Sequence, residues 1–165
     1  MNRFKLLAYK QEFPFLEGII GDAFPDSIRI KRADENLLSF TPHYSSHVGS
    51  MGKTKSWEKV HFILQDGTIE DAVLQRKNFS SNYAGDSPYS SDGETVLEAI
   101  DRHGVADKIQ FIVVESYYLD DWEGSEKEEE YAITLYKTPK GTTFGAEIKK
   151  ARAQALAEVR AEADF

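Results

Sequence analysis

The amino-acid sequence predicts a single α+β domain: a mainly antiparallel sheet of about three hairpins, helices packed on one face, and a long C-terminal helix. Three observations lead there. Runs with strand character come in pairs separated by turn residues, as in SIRIKR/LLSFT, VHFIL/IEDAVLQR and KIQFIVVESYYL/YAITLYK, which is hairpin patterning. Helical spacing is confined to the first 24 residues, a short stretch near residue 100 and an Ala-rich tail. The 165 residues, 41% apolar and 12% aromatic, suffice for one sizeable core but not for two ordinary domains.

In chain order, residues 1–24 combine Phe4, Leu7 and Ala8 at helical spacing with a break at Pro14 and a second apolar cluster from Phe15 to Ile20. This predicts one or two short helices. Ile28 and Ile30 alternate with Arg29 and Lys31, and after the polar turn Ala-Asp-Glu-Asn the run LLSFT is expected to return as the partner strand. Residues 42–56, rich in Ser, Gly and Lys, read as a long polar loop. Val60, Phe62 and Leu64 then form a strand that runs into Asp66-Gly67, a strong hairpin signal, with Ile69 to Arg76 returning.

Residues 77–92, KNFSSNYAGDSPYSSD, are expected to be a second long polar loop, studded with Phe79, Tyr83 and Tyr89; loops of that length in compact domains are usually functional or disordered. Ser91 and Glu94 have capping-box spacing, and Gly104 ends the short helix that follows, over 93–103. The run 108–119 is rich in β-branched and aromatic residues and should be central. Its partner, 131–137, is reached through the acidic connection DDWEGSEKEEE. Residues 145–163 place Ile148, Ala151, Ala155, Leu156 and Val159 on one side of a helix about five turns long, a stripe that could cover the sheet or support self-association.

Composition excludes several chemistries. With no Cys, disulfides, thiolate zinc sites, iron–sulfur clusters and cysteine nucleophiles are ruled out. No run approaches the roughly 20 apolar residues needed to span a bilayer, and a cytoplasmic, soluble protein is the expectation. The net charge of -8 is uneven: residues 61–140 carry seventeen Asp/Glu against seven Lys/Arg, whereas 1–60 carry seven against nine. Without a basic stripe, an acidic chain is a poor candidate for direct nucleic-acid binding and a better one for meeting a protein partner with a basic surface.

Two segments carry chemical signals. Gly52-Lys53-Thr54 resembles the end of a phosphate loop, but that pattern requires a Gly where this chain has His47, a strand leading in and a helix leading out. A softer version keeps His43, His47, Lys53, Thr54, Lys55 and Trp57 as a basic and aromatic site for a phosphate or small ligand. His43 and His47, four apart, would face one metal on a helix, yet Pro42 and the intervening serines oppose a helix and no third ligand has matching spacing; neither a metal nor a cofactor is expected.

The second segment lies between Glu115 and Glu130, which hold eight carboxylates and one Lys. Asp121, Glu123 and Glu130 partly mimic a calcium loop, but Leu119 stands where its first ligand belongs. Asp120, Asp121, Glu123 and Glu126, with Trp122 as an anchor, suit a docking surface for a basic partner, and Phe79, Tyr83 and Tyr89 could contribute aromatic contacts. His61 reads as a surface or hydrogen-bonded strand histidine, and His103 as a helix C-terminal residue. There is no nucleophile elbow and no spacing that links Ser, His and Asp, hence no enzyme signature. The expectation is a non-catalytic acidic interaction module, with a profile that fits an accessory or inhibitory factor of a phage or mobile element.

Overall fold

The computed structural model describes residues 1–71, 76–81, 89–138 and 142–163, with side chains for all but 76–81 and 89–93. The described elements are α1 (Arg3–Glu12), α2 (Leu16–Ile20), β1 (Ser27–Arg32), α3 (Glu35–Leu38), β2 (Tyr44–Gly49), β3 (Gly52–Leu64), β4 (Ile69–Asp71), β5 (Arg76–Ser81), β6 (Tyr89–Gly93), α4 (Val96–His103), β7 (Ile109–Trp122), β8 (Glu128–Lys137) and α5 (Phe144–Ala163). The expected α+β architecture is present. One sheet runs in the order β1-β8-β7-β3-β2-β6-β5, with β4 beside β3, and its pairs are antiparallel except β1–β8.

Strand alternation sends successive side chains to opposite faces, and both faces are covered at one end of the sheet. On the front face Val60, Phe62, Ile112 and Val114 pack with Leu37 and Leu38 of α3, Val96, Ala99 and Ile100 of α4, and Phe144 and Ile148 of α5. On the back face Ile63, Val113, Ile133, Leu135 and Ile28 pack with Leu6, Phe13, Leu16 and Ile20. Helices therefore flank both faces rather than one. At the α1–α2 corner, Phe13 meets Phe111 of β7 edge-on at 5.7 Å and Phe15 lies 5.4 Å from the same ring. The inward stripe of α1 is Leu6, Tyr9 and Phe13, spaced three and four apart, while Phe4 and Leu7, which also have helical spacing, are exposed.

Several expected elements are replaced. The segment after β1 folds as α3 instead of a return strand, because Asp34 caps it by accepting from Leu37 N at 3.1 Å, and its two leucines reach the front core. β1 finds its partner a hundred residues away, Ile28 beside Ile133. The expected 42–56 loop is largely strand: β2 pairs with the first half of β3 around a turn at Gly49–Gly52. The expected 77–92 loop holds β5 and β6, Phe79 aligning with Ser91 and Ser81 with Tyr89; Tyr83 lies outside the described residues, as do positions 72–75 of the expected return strand. The cap of α4 is Thr95, which accepts from Glu98 N at 3.1 Å, not Ser91, while Gly104 ends the helix in the left-handed conformation at φ 66° as glycine allows. α5 forms as expected, but of its residues only the first turns are buried, and Leu156 and Val159 are exposed.

Candidate functional site

The core clusters take in no residue of β3 before Val60 and none of β7 after Val114, so the outer parts of these long strands, with the adjoining part of β8, form a distal sheet. Lys53 to Lys59 align with Asp121 to Glu115, and Tyr117 to Asp120 align with Tyr131 to Glu128 without a bulge. Each face of this distal sheet is therefore defined by residue parity. The acidic connection expected between two strands is mostly strand itself, with a short turn over 123–127.

At the base of the back face sits a buried ionic cluster. His61 (8% exposed) lies between Asp71 and Glu115, with Nδ1 2.6 Å from Asp71 Oδ1 and Nε2 2.5 Å from Glu115 Oε1. Tyr131 donates its hydroxyl to Glu115 Oε2 at 2.7 Å. Burial alone would lower the His61 pKa, but the hydrogen bonds to Glu115 and Asp71 outweigh it and raise the pKa above its ordinary value. Burial pushes the Glu115 carboxyl up; hydrogen bonds from His61 and Tyr131, helped by the charges of His61 and Lys59, bring it below the usual range. Burial, then the hydrogen bond to Glu115, drives the Tyr131 pKa far upward. A carboxylate at each ring nitrogen is satisfied by the doubly protonated ring of His61, a form with no lone pair to offer a metal or a proton. Among the described residues no group of three or more His, Asp and Glu is placed to hold a metal ion.

Farther out, the back face carries Trp57 stacked on Tyr117 (5.5 Å between centroids, 20° between planes), with Lys59 Nζ 4.7 Å from the Trp57 ring. Tyr117 donates to Glu129 at 2.8 Å. Lys53 and Lys55 share this face, and Lys53 stands directly across from Asp121.

The front face differs in charge. Glu58, Asp120, Glu128 and Glu130 lie on it by register, with Ser56, Ser116, Tyr118 and Trp122, and none of the Lys or Arg of the distal β2, β3, β7 and β8 does. A groove of about 250 Å³ is lined by His43, Ser56, Glu58, Ser116, Tyr118 and Glu130, together with Trp57 and Tyr117 of the intervening strand positions. Glu58 Oε1 accepts from the backbone N–H of His43 at 3.2 Å, and burial raises its pKa. At the tip the His47 and Trp122 rings are 5.3 Å apart. Gly52 lies so close to the Asp121 carbonyl and Trp122 Cα that a side chain there would collide with backbone.

The two residue sets suggested by the sequence thus become neighbours, each divided by the sheet. Of the ligand-binding set, Lys53, Lys55 and Trp57 lie on the back face, His47 and Thr54 on the front, and His43 beside the front groove. The Gly-Lys-Thr stretch is the start of β3, with no helix behind it, so it lacks the converging amides and dipole of a phosphate loop. Four residues of extended chain hold His43 and His47 roughly 13 Å apart, too far to share a metal. Of the partner-binding set, Asp120 and Trp122 face front, Asp121 faces back against Lys53, and Glu123 and Glu126 are exposed in the turn. Glu58, Tyr118, Glu115, Asp71 and Tyr131 were not marked by the sequence; their signal was strand parity, legible only once the pairing is known. Comparison with protein-family models, with curated proteins and with solved structures finds no match to this chain.

Proposed function

We propose that this chain is a non-catalytic module that binds a protein partner with a basic surface, through the acidic, aromatic front face of its distal sheet. The observation that carries this reading is the segregation of charge: every lysine of the distal β3 points to the back, so the front presents Glu58, Asp120, Glu128 and Glu130 with none of the β3 lysines among them. Tyr118 (43% exposed) and Trp122 stand among them, and aromatic anchors beside complementary charge are what concentrate binding energy in interfaces. The groove over Glu58 offers two carboxylates, hydroxyls and a phenol ring, the surroundings that an arginine or lysine side chain recognises. A role as an accessory or inhibitory factor would follow from occupying that basic surface.

The test is affinity capture with wild type, a front variant (Glu58→Gln, Asp120→Asn, Glu130→Gln) and a back variant (Lys53→Gln, Lys55→Gln, Lys59→Gln). Captured partners should be lost with the front variant and kept with the back variant; the reverse pattern would overturn the proposal. The reverse pattern would instead favour a second reading, supported by the convergence of Lys55, Lys59 and Trp57 on one face: an anionic ligand held on the back. Thermal-shift titration with phosphate, nucleotides and short oligonucleotides addresses it directly, because a ligand site there requires a shift that Lys55→Ala removes.

A further inference from the structure

The described residues of β4, Ile69–Asp71, lie along the edge of β3, and their two carboxylates are each gripped by a histidine. On the back face Asp71 meets His61 Nδ1 at 2.6 Å; on the front face Glu70 meets His103 Nδ1 at 2.6 Å. The two grips differ in what they require. His61 has Glu115 on its other nitrogen, so both contacts are satisfied only by the doubly protonated ring. His103 has a buried Nε2 with no hydrogen-bond partner among the described residues and packs edge-on against Phe62 at 5.8 Å; a ring with a proton on Nδ1 satisfies this geometry.

We propose that β4 is a pH-operated latch, closed at Asp71 while His61 carries two protons and released there when one is lost, with the His103–Glu70 contact remaining as a hinge. The direction of release follows from exposure. The Glu115 side chain is 9% exposed and depends on His61 and Tyr131 for donors, whereas Asp71 is 71% exposed and can be hydrated. A neutral His61 therefore keeps its N–H toward Glu115 and turns a lone pair toward Asp71, and lone pair and carboxylate repel. The charged and titratable groups around His61 are Asp71 from β4, Glu115 from β7, Tyr131 from β8 through Glu115, and Lys59 from β3; around His103 it is Glu70. Because the His61 pKa is raised, the latch is closed through the ordinary histidine range and opens on its alkaline side. Opening loosens the pairing of His61–Ile63 with Ile69–Asp71 and the contact between Ile69 and Gly18 of α2, and so exposes an edge of β3 to another strand.

The measurement is amide hydrogen exchange of the intact chain across pH, expressed as protection factors, alongside ring-nitrogen NMR of the four histidines. Two ring protons are expected on His61 at neutral pH. Protection of the β3–β4 amides should fall by up to about tenfold per pH unit above the His61 transition, while that of β3–β7 amides holds. Asp71→Asn, at an exposed position, should fold normally and keep β4 protected at high pH, since an amide can bond to either form of the ring. A singly protonated His61 at neutral pH, or β4 protection that tracks β7 in wild type, or an unchanged pH dependence in Asp71→Asn, would each overturn the latch.

Discussion

Replacing Glu115 by Ala tests whether the back-face cluster is an ionic unit. The substitution removes the acceptor of Tyr131 and one of the two carboxylates that hold His61, and Glu115 and His61 are both buried. Removing one member of a buried ion pair costs about 3–5 kcal/mol. Two features point to the lower end: Asp71 remains at Nδ1, and His61 can shed its proton. A loss of about 3 kcal/mol is expected, which for a chain of this size lowers Tm by about 6–12 °C.

The sign of the pH dependence follows from the two shifts. The raised His61 pKa contributes stability that is complete below its ordinary value of 6.5 and is lost as pH rises through the folded value; the lowered Glu115 pKa contributes stability present above 4.5 and lost as pH falls through its folded value. The difference between wild type and Glu115→Ala should therefore be largest near pH 5–6 and shrink toward about 1 kcal/mol, the worth of an ordinary hydrogen bond, at alkaline pH. Equilibrium urea unfolding at pH 5.5 and above the His61 transition measures both. A loss below about 1 kcal/mol at pH 5.5, or one that is equal at the two pH values, would refute the ionic account.

Other substitutions probe separate parts of the fold. Phe62→Ala empties the centre of the front core, where Phe62 is fully buried, and should cost about 3–5 kcal/mol by urea unfolding. Thr95→Ala removes the cap of α4 and should cost about 1 kcal/mol by the same assay. Gly52→Ala drives a methyl into the Asp121–Trp122 backbone; it should disturb amide shifts on both sides of the β3–β7 tip, and an unperturbed spectrum would show that the strands part readily there. Leu156→Glu, on the exposed half of α5, should change monomer stability by no more than about 0.5 kcal/mol. Sedimentation of that variant against wild type reports whether the outer stripe of α5 joins two copies.

The candidate site was only partly legible for a physical reason visible in particular residues. Hydrophobic alternation marks a strand when one face is buried and the other wet. In the stretch from Tyr44 to Lys59 no side chain is fully buried on either face, and so Ser, His, Thr and Lys occupy both parities and the stretch looks like a loop. The spacing of Lys53, Lys55, Trp57 and Lys59 holds the face assignment, but only for a reader who already knows the segment is extended. His61 was recognisable as a strand histidine between core residues; that its two nitrogens face Asp71 and Glu115 depends on two pairings, one of them 54 positions away. LLSFT misled in the opposite sense: its leucines are as suited to a short capped helix as to a strand, and Asp34 decides between them.

What the chain's local chemistry determined by itself is therefore the set of segments whose burial is one-sided or complete. These are the core strands around Phe62 and Ile112, the capped helix ending at Gly104, the Ala-rich α5, and the turn at Asp66-Gly67. Side-chain periodicity reports the surface a segment will bury, and a glycine in the left-handed region or a threonine cap acts within a few residues. The tertiary structure alone decided the sheet order, the parallel marriage of β1 to β8, the helices on both faces and the division of charge between front and back. Those follow from contacts between residues far apart in the chain, where the free energy of packing two surfaces together outweighs local preference and leaves no trace in the sequence of either segment taken alone.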